Sequence, residues 1–503
     1  MLRRATKLAC LGAAAGGTYL SFQHNDLKHL AVCRVSRSMF TVGGIVADYK
    51  TSLSRVEETA PNYSEIRHGF HQRSAERLLK LCCENGGCYI KVGQHVAALE
   101  FLLPEEYITT LKVLHANAPQ SSLESVKRVL SEELGRPYEE VFDDFDEKPI
   151  GCASLAQVHK AKLRNGDTVA VKVQHNNVYR NSFTDMTVME GLGRLVDKLF
   201  PEFSLLWLVD ETKINLPKEL DFVNEANNCD KVRGLLKSLP WVRVPRIRRD
   251  LTTKRVLVMD YEDGGFVNDK EYLIRNKISP ITVAQRLGKL YSEMIFVNGF
   301  VHCDPHPGNI LVDSQGDLIL LDHGLYSQLS DRFRLQYTNM WLALIRRDIP
   351  AVERIAVEME VPAYLTKILA SILTGRRWKS IEVGEIAKSN TDAEAKEIKA
   401  WASEHVDLIN AVLQKVPREM LLLFKTNDLI RGIESSLGVS RMAKSFVTMS
   451  QCCVRAVYGE KLKNSGRVSR VTLNFAKWLS LLKISVQQWF LWMTVVVSDR
   501  FRL

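Results

Sequence analysis

Between residues 65 and 118 apolar side chains recur with helical spacing. Ala75, Leu78, Leu79 and Cys82 stand at i, i+3, i+4 and i+7, and nothing in the stretch alternates as a strand would. A second helical pattern covers residues 122–134, with Ser122 placed as its N-cap. The period then shortens to two. Residues 157–163 and 168–174 read as strands, and the Arg164-Asn165-Gly166-Asp167 joint between them carries the Asn-Gly pair of a tight hairpin. In the second strand Val169, Val171 and Val173 share one face, while Ala170 and Lys172 share the other. A lysine at the centre of a valine-rich strand is costly unless an anion meets it.

Further strands are expected at residues 242–247 and 255–260, stopped by Glu262-Asp263-Gly264-Gly265. Leu287, Leu290, Tyr291, Met294 and Ile295 then form one helical stripe. A compact hairpin follows, with strands at 309–312 and 318–321 around a Ser314-Gln315-Gly316-Asp317 turn, and residues 326–458 read as helix throughout. Strands first and helices afterwards imply an α+β arrangement of two lobes rather than an alternating parallel-sheet fold.

Length and charge narrow the picture. A chain of 503 residues exceeds one simple core, and 46% hydrophobic with 25% charged residues is a globular composition. The net charge of +10 favours anionic partners such as nucleotides or acidic lipid surfaces. No nucleic-acid-binding signature accompanies it, so nucleic acid is not an expected partner. Ten cysteines in so long a chain make no disulfide framework. Cys82, Cys83 and Cys88 cluster without a histidine at metal-ligand spacing, and read as semi-buried thiols. The N-terminus carries Arg3, Arg4 and Lys7 with no acid before Asp26, the pattern of a mitochondrial presequence. Its apolar run, residues 8–22, is short for a membrane span.

The chemistry lies in three motifs in fixed order. Val169-Ala170-Val171-Lys172 matches the V-A-I-K strand of protein kinases. His302-Cys303-Asp304-Pro305-His306-Pro307-Gly308-Asn309 matches their catalytic loop, and Leu320-Leu321-Asp322-His323-Gly324 stands where D-F-G is expected. ATP phosphates need a fixed cation, which Lys172 supplies from a rigid strand while Ala170 leaves room for the adenine. Magnesium needs oxygen ligands, for which Asn309 and Asp322 flank a short hairpin. Asp304 is placed to accept a proton or orient a nucleophile.

Three further segments sharpen the resemblance. Ile90-Lys91-Val92-Gly93-Gln94 carries a K-x-G-Q signature, and residues 149–159 hold the small-residue loop Gly151-Cys152-Ala153-Ser154. Glu219-Leu220-Asp221 forms an E-x-D motif, continued by Glu225-Ala226-Asn227-Asn228. Together with the 302–309 loop, these resemble the UbiB (AarF-domain) family of atypical kinase-like proteins over roughly residues 65–450. The resemblance implies a bilobal protein-kinase-like fold with a small β-rich N-lobe, a helical C-lobe and a helical N-terminal extension over the cleft. It implies that Lys91 and Gln94 act near the phosphates, that residues 151–154 with Lys172 bind nucleotide, and that Glu225 or Glu219 pairs with Lys172, Glu225 being preferred. Glu219 and Asp221 are expected to face the extension. Asp221 and Glu225, four apart, are also read as sharing one helix face, so that both reach the site.

The expected divisions are 1–45 for targeting or anchoring, 46–145 for the extension, 146–265 for the N-lobe, 266–457 for the C-lobe and 458–503 for a basic, Trp-rich tail. There are departures from ordinary kinases. The Gly-rich loop is replaced by residues 151–154, with Cys152 where the family commonly has alanine. His323 stands for the Phe of D-F-G and is read as a neutral filler. No A-P-E segment follows Gly324, which argues against ordinary protein phosphorylation. In the tail Lys461, Lys463, Arg467, Arg470 and Lys477 precede an apolar stretch with Trp478, Trp489 and Trp492, as in a helix lying on an anionic membrane. Expected cofactors are ATP and Mg2+. Expected partners are a nucleotide, an anionic or quinone-like lipid and mitochondrial membrane proteins, at the inner membrane. A small-molecule phosphotransferase and a scaffold whose function needs no turnover are the alternatives.

Overall fold

A computed structural model describes residues 30–57, 59–97, 103–116, 120–199, 206–383, 405–439, 444–463 and 465–500, with 394, 397, 398, 400 and 401. Residues 1–29, on which the expected presequence and the apolar run at 8–22 fall, lie outside the described residues. Along the chain the strands are β1 (Phe142–Phe145), β2 (Gly151–Cys152), β3 (Ala156–Leu163), β4 (Thr168–Gln174), β5 (Val242–Arg243), β6 (Val256–Asp260), β7 (Gly265–Phe266), β8 (Phe300–His302), β9 (Ile310–Val312), β10 (Leu318–Leu320) and β11 (Tyr326–Gln328). Two compact units divide the chain, one formed by residues 1–226 with 246–261 and the other by 227–245 with 262–503.

The first unit is built on an antiparallel sheet of order β1-β3-β4-β6, with β2 paired to β3. The turn between β3 and β4 closes through Leu163 N donating to Asp167 O at 2.9 Å. Gly166 there has φ +90°, a conformation that glycine adopts without a Cβ penalty. Alternation along β4 sorts its side chains as the sequence requires. Val169, Val171 and Val173 are buried against Val256 and Val258 of β6 and against Val126, Val129 and Leu130. Those last three belong to the helix Leu123–Leu134, whose first turn is capped by Ser122 Oγ accepting from Ser125 N at 3.3 Å.

The 65–118 stretch resolves into helices Tyr63–Asn85, Cys88–Ala97, Glu105–Leu111 and Val113–Ala116. Gly86 and Gly87, at φ +66° and +50°, turn the chain between the first two. Ahead of them lies the helix Ala31–Asp48, fixed to this unit by a buried polar network. Arg34 Nε donates to Asp185 Oδ1 at 2.8 Å, Arg34 Nη1 donates to Asn85 O, and Ser38 Oγ meets Tyr89 OH at 2.7 Å. Burial pushes the Asp185 carboxyl up, against the opposing pull of Arg34.

The second unit contains a sheet of order β5-β10-β9-β7 and the antiparallel pair β8–β11. The helix Pro280–Ser292 continues as a π-turn over Glu293–Asn298, and its stripe of Leu287, Leu290, Tyr291, Met294 and Ile295 is buried as the spacing requires. Two expectations are corrected. The strand expected at 242–247 shrinks to β5, because Pro245 has no N–H to donate to a ladder and Ile247 instead bridges Met259 of β6. The segment from Tyr326 onward opens with β11 rather than helix, since Tyr326 pairs with His302 across the two-stranded ladder. Helices follow from Asp331 onward. Lys444–Lys463 is tied to the π-turn by Glu293, which takes Lys289 at 2.7 Å and also Arg455.

The last helix, Arg467–Arg500, packs on Lys444–Lys463, with Tyr458 OH and Ser480 Oγ 3.3 Å apart. Val471, Phe475, Trp478, Leu482 and Val486 of this helix are exposed. Their spacing of i, i+4, i+7, i+11 and i+15 places them in one stripe. Among the described residues no helix is long and apolar enough to cross a membrane.

Candidate functional site

In the first unit, Lys172 sits at the middle of β4, its Cα opposite Val158 on one side and Leu257 on the other. Its ammonium donates to both carboxylate oxygens of Glu225, at 2.8 and 2.9 Å, and lies 5.2 Å from the centroid of the Phe222 ring. Both members of the pair are buried. Glu225 comes from the helix Phe222–Leu235, and two bonds hold its start against the sheet. Gln174 Nε2 at the end of β4 donates to Leu220 O at 3.1 Å, and Phe222 N donates to Lys254 O at 3.1 Å.

Glu219 takes a different lysine. Lys91 Nζ lies 2.6 Å from Glu219 Oε2, again between buried groups, so the K-x-G-Q helix Cys88–Ala97 and the E-x-D segment are joined directly. Gly93 of that motif has a packing reason. A Cβ built on it would overlap Leu114 Cδ1 and press on Cys82 Sγ at 3.1 Å, both in a filled core. Gln94 Nε2 donates to Leu114 O at 3.0 Å and so closes the same helical corner. Cys82 and Cys88 are buried, and burial pushes their thiols up to about 12.

Asp221 opens the helix Phe222–Leu235, its Oδ1 accepting from Val223 N at 3.0 Å as a cap. Its carbonyl accepts from Glu225 N at 3.2 Å, so it stands one turn ahead of the glutamate that pairs with Lys172.

The small-residue loop is a tight hairpin. Ala153 N donates to Ala156 O at 2.8 Å, Ser154 is buried, and Gly151 has open space where a Cβ would stand. One histidine braces it, and another lies in β3, the strand to which β2 pairs. His175 Nε2 bonds Ala153 O at 3.1 Å while its Nδ1 meets Ser121 Oγ at 2.7 Å. His159, within β3, bonds Asp146 O at 2.8 Å through Nδ1 and the Gln157 amide at 2.9 Å through Nε2. Burial lowers the pKa of both rings. The unfolded chain takes up a proton near pH ~6.5 that the folded chain resists, so this stability is complete above that pH and is lost as pH falls below it. We expect the unfolding free energy from urea titrations to drop between pH 7.5 and 5.5, by at most about 1.4 kcal/mol per pH unit per histidine. His159→Gln should flatten that slope, and an unchanged slope would rule out His159 as a contributor.

In the second unit the 302–309 loop and the Asp322-His323-Gly324 turn are bound to each other. Cys303 N donates to Leu325 O at 3.0 Å, and His302 Nε2 bonds Asp322 O at 2.6 Å while its Nδ1 meets Tyr291 OH at 2.9 Å. His323 is buried, with Nδ1 at 2.9 Å from Tyr326 OH and Nε2 at 3.2 Å from Leu320 O. Both ring nitrogens thus have partners at the position where a kinase has Phe. Asn228 Nδ2 donates to His323 O at 3.0 Å.

Asn309 Nδ2 donates to Asp304 O at 3.0 Å, and Leu321 N donates to Asn309 O at 3.0 Å, closing the β9–β10 hairpin one residue before Asp322. Asp322 Oδ1 accepts from Gly324 N at 2.9 Å. An amide and a carboxylate at the mouth of one hairpin are hard oxygen donors and suit magnesium. One partner was not legible in the sequence. Lys425 Nζ, from the helix Arg418–Ser436, lies 2.9 Å from Asp304 Oδ1, 121 positions away along the chain.

A strand lysine held by a helix glutamate, a loop aspartate and asparagine, and a hairpin-end aspartate define the kinase-like class. Residues 113–356 match the ABC1 atypical kinase-like domain. The chain is 47% identical to "AarF domain-containing protein kinase 1" of Gallus gallus, over 98% of this chain and 96% of that protein. It is 44% identical to "AarF domain-containing kinase 1" of Drosophila melanogaster, over 92% and 90%. A solved Mycobacterium tuberculosis protein, in complex with erythromycin, is similar at 20% identity and TM-score 0.44, covering 69% of this chain and 95% of that one. The chain belongs to the ABC1 (AarF-domain) atypical kinase-like family.

Proposed function

We propose that this chain binds ATP with magnesium and turns it over slowly, in support of quinone or lipid homeostasis at the inner mitochondrial membrane. The observation that carries the nucleotide part is the buried Lys172–Glu225 pair, a fixed ammonium on a rigid strand. Lys172 would meet the phosphates, Ala170 and residues 151–154 would line the nucleotide, and Asn309 with Asp322 would hold magnesium. The nucleotide supplies the phosphoryl group when bound. Asp304 orients the acceptor and takes its proton. From Gly324 the chain passes through β11 directly into the helix Asp331–Arg346, which supports hydrolysis or a small acceptor over a peptide substrate.

The lipid part is supported by the family resemblance and by the last helix. Its exposed stripe runs beside Arg470, Lys477 and Lys483, and no acidic residue occurs from 461 to 498. That combination suits a helix lying on an anionic membrane. The basic leader supports mitochondrial targeting.

The test is magnesium-dependent ATP binding by calorimetry, with phosphate release measured with and without cardiolipin-containing vesicles. Binding should vanish in Lys172→Ala and Asp322→Asn, and vesicles should raise wild-type turnover. Folded wild type that fails to bind Mg-ATP would overturn the nucleotide reading. A phosphorylated lipid-like product would replace hydrolysis by transfer to a small acceptor.

A further inference from the structure

The 302–309 loop carries Asp304 but no lysine or arginine of its own. A phosphoryl-transfer site gathers negative charge as the reaction proceeds, and cations aimed at that charge do much of the catalysis. The second unit provides one from elsewhere in the chain. Lys425 reaches Asp304 from the helix Arg418–Ser436, and its side chain is 16% exposed against 22% for the aspartate.

Its position is fixed from several sides. Leu423 and Phe424 beside it are buried, and Thr426 Oγ1 donates to Leu422 O at 2.8 Å. Asn427 Nδ2 donates to Tyr337 OH at 2.9 Å, and Arg431 Nη1 donates to Leu373 O at 3.1 Å. Asp304 is fixed as well, through its carbonyl, which accepts from His306 N at 2.7 Å and from Asn309 Nδ2 at 3.0 Å. Two anchored elements therefore bring a cation and a carboxylate together.

We propose that Lys425 is the positioning residue of the transfer site, its ammonium holding the Asp304 carboxylate turned toward the acceptor as charge builds there. This rests on the nucleotide reading above. In hydrolysis the water oxygen bonds to the γ-phosphorus as the bond from that phosphorus to the β,γ-bridging oxygen breaks. The electron pair leaves on ADP, and the water proton passes to Asp304 and then to solvent. Lys425 acts on this step by fixing the acceptor of that proton, and it does not hold the nucleotide in the ground state.

The full-length wild type is compared with Lys425→Met and Lys425→Arg for Mg-ATP affinity by calorimetry and for kcat and KM of phosphate release. Lys425→Met should lower kcat by about 100-fold, with calorimetric affinity and KM within about threefold of wild type. Lys425→Arg should recover most of the rate. Unchanged Mg-ATP binding shows that the variant is folded. A normal or raised kcat in Lys425→Met, beside an active wild type, would overturn this inference alone. A parallel loss of affinity and rate would make Lys425 a structural or binding residue and also overturn it. A wild type that neither binds nor hydrolyses Mg-ATP would overturn the nucleotide reading and this inference together.

Discussion

Lys172→Met is expected to abolish Mg-ATP binding and to lower the stability of the first unit by about 3–5 kcal/mol. The two effects have separate causes. Stability falls because Glu225 is left as a buried carboxylate with its ammonium partner removed, and the desolvation of that charge is no longer offset. Binding falls because the phosphates lose their fixed cation. Lys172→Met combined with Glu225→Leu separates them, since an apolar pair of similar volume restores most of the stability without restoring the cation. Urea midpoints and Mg-ATP calorimetry on both variants make the check. A double variant that binds Mg-ATP as tightly as wild type would remove Lys172 from the nucleotide site.

The second large effect is expected far from the kinase-like motifs. Arg34→Met should cost about 3–5 kcal/mol, because it leaves Asp185 buried and takes away the Nη1 donor to Asn85 O. The raised carboxyl of Asp185 shows that the pair bears a desolvation cost even when intact. Its removal in one step should therefore hurt more than its replacement as a pair. Arg34→Met with Asp185→Leu should recover most of the midpoint and protect the helix Ala31–Asp48 from limited proteolysis. A midpoint unmoved in the single variant would show that this helix is not coupled to the rest of the unit.

Much of this arrangement was legible because strong periodicity and short-range motifs carried it. The β3–β4 hairpin followed from alternating valines and an Asn-Gly turn, and a lysine in such a strand already asked for an anion. The helical stripe around Tyr291 was equally plain. The parts that were missed have local reasons. β8 and β11 have three residues each, too few to show a period, and are defined only by pairing with one another. β1 carries Asp143 and Asp144, so it lacks the apolar alternation of a strand. Asp221 reads as a helix-face residue, and only the bond from Val223 N shows that its carboxylate also caps that helix. Gln94 carries the K-x-G-Q resemblance, and nothing in the sequence signals that its amide nitrogen also holds Leu114 O. Lys425 lay beyond any sequence argument, because a helix lysine more than a hundred positions from its carboxylate is indistinguishable from a solvated one.

The helix Ala31–Asp48 also marks how far the chain can be shortened. Removal of residues ahead of Ala31 leaves the Arg34–Asp185 pair intact. Removal past Arg34 leaves Asp185 as a buried carboxylate without its arginine, so that product is expected to be the less stable one and the more readily degraded.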